Sequence, residues 1–110
     1  SLSNFIMSAP KAKPERHALF AQRYGTSLDP DYPHLPYGVD AKRSLIAKAR
    51  LGTRGVEAVS FLPVLIDRSL RPEVLAAGDV RFAGALDYMK GASEGYGGPF
   101  RAQGDEVCIA

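Results

Sequence analysis

Hydrophobic and polar positions alternate most regularly between Ser44 and Leu51. Leu45, Ala47, Ala49 and Leu51 fall on one side of an extended chain, and Ile46, Lys48 and Arg50 on the other. Gly52-Thr53-Arg54-Gly55 reads as a turn, and a second β-rich run follows from Val56 to Ile66. Residues 44–51 and 56–66 therefore predict a central antiparallel hairpin. Pro63 interrupts the second run, and because proline has no N–H to give a ladder, it predicts a sheet edge or a bulge there.

Two other stretches carry a helical period. Pro14 suits the first position of a helix, Leu19, Phe20 and Tyr24 share a face, and Gly25 is a stop, which predicts a helix over 14–24. Asp79 suits the cap of a second helix over 79–92, where Phe82, Ala85, Leu86 and Met89 fall on one stripe. Gly84 lies inside that helix at a cost of about 1 kcal/mol relative to Ala, which points to close packing on a sheet. Prolines 30, 33 and 36 make 26–38 a long loop, ordered by Tyr32, Leu35 and Tyr37. Glycines 91, 95, 97 and 98 predict another loop. A turn at Gln103-Gly104-Asp105 leads to a closing strand at 106–109. The expected class is α+β, as a single domain over residues 1–110.

The chain begins Ser1-Leu2-Ser3-Asn4-Phe5-Ile6, an apolar segment that needs neighbouring strands. It reads as the C-terminal fragment of a longer protein, whose remaining chain is its first expected partner. Strand edges left open by such a cut template pairing with another copy, so a homodimer is expected, through the hairpin or the N-terminal strand.

Composition narrows the function only by exclusion. Fourteen basic residues are scattered among twelve acids, for a net charge of +2. This is too even a mixture for a nucleic-acid face. No apolar run approaches the roughly 20 residues of a membrane span, so no membrane contact is expected from this segment, and localisation cannot be read from it. Cys108 is the only cysteine and, between Val107 and Ile109, reads as a small core residue. His17 and His34 lie far apart, so no metal or other cofactor is expected within the segment. Asp29 and Asp31 flank Pro30 and read as a turn, and Asp105-Glu106 as a solvated hairpin tip. No catalytic set is recognisable. Lys42, Arg43, Lys48 and Arg50 form the one basic cluster, a candidate contact for an anionic polymer or simply a solvated strand face.

Four segments together resemble the C-terminal region of the bacterial capsule and poly-γ-glutamate biosynthesis family of CapA type. Ser1-Leu2-Ser3-Asn4-Phe5-Ile6 resembles its Ser-Leu-Gly-Asn-Phe strand, and Ala41-Lys42-Arg43-Ser44-Leu45-Ile46-Ala47-Lys48 the strand after its variable loop. Val59-Ser60-Phe61-Leu62-Pro63-Val64-Leu65-Ile66 is similar to its late apolar segment, and Gly104-Asp105-Glu106-Val107-Cys108-Ile109 to its closing strand. The resemblance implies a parent with a calcineurin-like metallophosphoesterase fold, a two-sheet αββα sandwich, located at the cell envelope. Its divalent-metal motifs, including Gly-His-His-Pro-His, precede the first of these segments. Asn4 is the matched residue adjacent to that site, and Ser3 stands where the family has glycine.

Three functions follow as expectations. The first is a structural C-terminal portion of a capsule or poly-γ-glutamate biosynthesis protein, with no complete active site and no enzymatic activity of its own. The second is a binding module for an anionic polymer or protein, acting through the basic cluster. The third is part of a metal-dependent phosphoesterase whose ligands lie upstream.

Overall fold

In a computed structural model, which describes residues 14–25, 29–32, 38–96 and 98–109 without the side chains of His17, Phe20 and Tyr24, both periodicities become elements. Helix α1 (Pro14–Tyr24) precedes the hairpin of β1 (Arg43–Gly52) and β2 (Gly55–Ile66). Strand β3 (Pro72–Val74), helix α2 (Val80–Ala92) and the hairpin of β4 (Phe100–Gln103) and β5 (Glu106–Ile109) follow. The strands run β1-β2-β5-β4, with β3 also paired to β2, and the β1–β2, β2–β5 and β4–β5 ladders are antiparallel. This is the α+β class that the patterning predicts. Among the described residues no helix is long and apolar enough to cross a membrane. Asn4, His34, Leu35 and Tyr37 lie outside the described residues, as does the whole N-terminal segment 1–13.

The chain divides into two compact units, Ser1–Lys42 with Ile66–Pro72, and Arg43–Leu65 with Glu73–Ala110. In the first, α1 ends as expected at Gly25, whose φ of +62° suits a residue without Cβ and whose N–H reaches the Ala21 carbonyl at 2.9 Å. Leu19, which the period places on one face with Phe20 and Tyr24, is exposed. The Asp29-Pro30-Asp31 turn forms: Asp29 Oδ1 accepts the Asp31 N–H at 3.0 Å, and its Oδ2 accepts Lys42 Nζ at 3.2 Å. These contacts, led by the Asp31 N–H, hold the Asp29 carboxyl below its usual range. A second carboxylate-built turn follows β2, where Asp67 accepts from the N–H groups of Ser69 and Arg71 and from Arg71 Nε. It holds Leu70 at φ +61°, a left-handed conformation disfavoured for a branched side chain.

The buried hydrophobic side chains among the described residues lie in the second unit. Thr53 and Arg54 turn the hairpin between facing glycines, and Gly55 has φ +119°, which residues with a Cβ rarely adopt. Phe61 and Val107 are opposite each other on β2 and β5 and are buried with Leu75, Phe82 and Ala85. Phe100 meets Phe61 edge-to-face at 5.6 Å between centroids. Leu86 and Met89 pack on the same cluster, so the helical stripe does face the sheet. Asp79 caps α2 by accepting the Arg81 N–H at 2.8 Å.

Two expectations are corrected. Gly84 does not mark close packing: it is exposed, and a Cβ there would meet nothing within 4 Å. Pro63 is neither exposed nor at a bulge. It is buried and opposes Leu45 in unbroken register, and the register shift occurs instead between Arg50 and Leu51. The reason lies in backbone direction. The Ile66 N–H donates to the Lys42 carbonyl, which in an antiparallel ladder turns the backbone of every second residue, including Phe61 and Pro63, away from β1. Pairing with β5 reaches only to Phe61, and the Pro63 carbonyl accepts the Leu75 N–H at 2.9 Å. Proline thus occupies the point where the neighbour of β2 changes from β5 to β3, and no β1 hydrogen bond is lost.

Candidate functional site

The strand alternation that buries Phe61 and Val107 sends their neighbours to the opposite face of the sheet. The register aligns Lys48, Ser60, Cys108 and Arg101 across four strands, and in the next row Ile46 with Leu62, and Gln103 with Glu106. Glu106 joins the two rows. Lys48 Nζ binds its Oε1, and Ser60 Oγ donates to its Oε2 at 2.9 Å. Cys108 Sγ lies 3.4 Å from Gln103 Oε1. Beside Glu106 is an open basin of about 580 Å³ lined by Leu62, Gln103, Asp105 and Glu106.

The chemistry of this cluster is limited by its electrostatics. Lys48 first, and then Ser60, lower the Glu106 pKa. The carboxylate therefore stays ionised, has no proton to give, and is too weak a base to activate the Ser60 hydroxyl. The arrangement ties β1, β2 and β5 together as a cross-strand polar pairing. Asp105 is similarly occupied, accepting the Ala77 N–H at 2.7 Å. The pair Asp105-Glu106 is thus more than a solvated tip. Cys108 is half-buried on the polar face and is not a core residue. The alternation Glu106-Val107-Cys108-Ile109 carries that information, since Val107 takes the core position.

The basic cluster does not form one cationic patch. Lys42 binds Asp29 and lies over the Tyr32 ring at 4.9 Å. Arg43 lies over Tyr88 at 5.1 Å, on the face of β1 opposite to Lys48 and Arg50. Lys48 holds Glu106, and Arg50 Nε is 3.3 Å from Glu57. Glu57 is the extra residue of β2 at the bulge, where Arg50 opposes Ala58 and Leu51 opposes Val56. A further ion cluster was not legible from the sequence: Arg81 chelates Glu73 through two hydrogen bonds at 2.9 Å and also grips Asp79. Arg81 lowers the Asp79 pKa to about 2 through its side chain first and its N–H second.

Among the described residues no group of three or more His, Cys, Asp or Glu side chains could hold a metal ion. Asn4 and His34 lie outside those residues. No family model, curated protein or solved structure matches the chain.

Proposed function

We propose that this chain is the C-terminal structural portion of a capsule or poly-γ-glutamate biosynthesis protein of CapA type, contributing a sheet and its core but no active site of its own. One observation supports this reading most. Three of the four segments that carry the resemblance form the start of β1, the end of β2 and the whole of β5, which are consecutive neighbours in one sheet. Segments kept together by packing would have this arrangement. The charged groups support a structural role as well: Lys48, Glu106, Arg50, Glu57, Arg81, Asp79 and Glu73 all link one element or strand residue to another.

Among the described residues no donor cluster fits a divalent metal. In the family that the chain resembles the metal motifs precede the first matched segment, so that is where a metal used by the parent would be held, and no chemical step is assigned to this chain. Its part is to present finished strands and a buried face to the rest of the protein. The reading through Lys42, Arg43, Lys48 and Arg50 has less support, because those cations already hold acids or aromatic rings.

The coding sequence before Ser1 tests the family. A Gly-His-His-Pro-His element within a few tens of residues is the expected result. An upstream region of another fold class with no such element would overturn it.

A further inference from the structure

We infer that two copies of this chain pair along β1, antiparallel and centred on Ala47, with Leu51 of each copy seated at a cavity of the other. The pairing follows from the register of β1, whatever the activity of the parent. Among the described residues β1 pairs only with β2. The ladder phase set by Ile66 and Lys42 turns the backbone groups of Ser44, Ile46, Lys48 and Arg50 toward β2, and those of Leu45, Ala47 and Ala49 outward. The extra residue of the bulge is on β2, so β1 is regular throughout its 10 residues. Long, regular edges of this kind are templates for pairing.

For a second copy, charge selects the register. Strand β1 contains Arg43, Lys48 and Arg50 and no acid, and like charges directly opposite each other destabilise a ladder. With Ala47 opposite Ala47, Lys48 faces Ile46 of the second copy, Arg50 faces Ser44 and Arg43 faces Leu51. No cation meets a cation. Sliding one copy by two residues brings Lys48 against Lys48 in one direction and Arg50 against Lys42 in the other. The remaining diagonal approaches, of the two Lys48 side chains and of Arg50 to Lys42 of the second copy, are offset because these cations hold Glu106, Glu57 and Asp29 of their own chain.

The same register gives Leu51 a place. Its side chain is 72% exposed, on the same face as Leu45, next to exposed Val56. It would lie opposite Arg43 of the second copy, at the wall of a cavity of about 180 Å³ lined also by Leu45, Ala85, Tyr88 and Met89. An apolar cavity of roughly 150 Å³ takes up benzene, so one isobutyl group fits. Leu51 and Val56 alone fall well short of the ~1,600 Å² of a standard interface. The backbone ladder must therefore supply most of the contact.

Sedimentation equilibrium of the 110-residue chain over a wide concentration range is the test. A reversible dimer is expected. Ala47→Pro removes an outward N–H that serves no ladder among the described residues, and Leu51→Asp puts a charge at the cavity. Each should raise the dissociation constant at least tenfold. If circular dichroism shows that Ala47→Pro unfolds, Leu51→Asp and cross-linking decide. Ser44 and Arg50 would be a non-hydrogen-bonded pair with Cα atoms about 4.5 Å apart, within disulfide reach. In a Cys108→Ser background, Ser44→Cys/Arg50→Cys should oxidise to a covalent dimer, and Ser44→Cys/Lys48→Cys should not. A chain that stays monomeric, a dimer indifferent to Leu51→Asp, or equal cross-linking of both pairs would overturn the proposal.

Discussion

The two faces of the sheet have nearly the same strands behind them and opposite physical content. On one face Phe61, Val107 and Phe100 meet α2, and stability comes from burial and close packing. On the other, one residue along each strand, Ser60, Glu106 and Lys48 form a half-exposed polar tie. Exposed pairs of this kind contribute little, because water screens them and long side chains lose freedom. Strand alternation alone brings Ser, Glu, Lys and a nearby Cys, the residue types of a catalytic site, together on one face. The packed face makes the fold, and the polar face keeps the register.

The largest effect should come from the packed face. Phe61→Ala should destabilise by about 3–5 kcal/mol, the range for truncating a buried aromatic, as read by denaturant midpoint. Ser60→Ala, its neighbour in the chain, should cost far less. Near-equal losses would mean that the polar face bears the fold.

A smaller effect of opposite sign is expected on the back of α2. Gly84 is helical with open space where a Cβ would sit, so Gly84→Ala should stabilise by about 1 kcal/mol. A loss on thermal or chemical unfolding would reveal packing against Gly84 after all.

The smallest effect is set by pH. The folded Asp79 carboxyl titrates at about 2, below its ordinary value of 3.8, because Arg81 favours the charged form. Its contribution is therefore complete above pH 3.8 and declines as pH falls toward about 2. Asp79→Asn keeps a capping oxygen but removes that charge. It should flatten the acid limb of the stability profile in this window and leave the profile above it parallel to that of the parent sequence.

Local signals made much of the fold legible. The alternation at 44–51, the glycine-flanked turn and the Phe82-to-Met89 stripe each depend on residues a few positions apart, and each became the expected element. What stayed hidden depends on distant pairing. Whether Pro63 is tolerated depends on which side its nitrogen faces, and that follows from contacts with residues 42 and 75. The three residues of β3 are too few to show a period. Lys48 and Glu106 are 58 positions apart, so only the strand order brings them together. Gly84 misled because a helical glycine has two readings, close approach or an uncorrected cost, and sequence does not distinguish them.

The central claim is that this chain supplies structure and holds no metal centre of its own. Calorimetric titration of the chain with zinc and then manganese tests it most directly, because the titration includes His17, His34 and Asn4 along with the described carboxylates. The account predicts only weak, non-saturating heats with either ion. Tight, saturable binding at one site per chain would contradict it and would make the segment part of a metal centre.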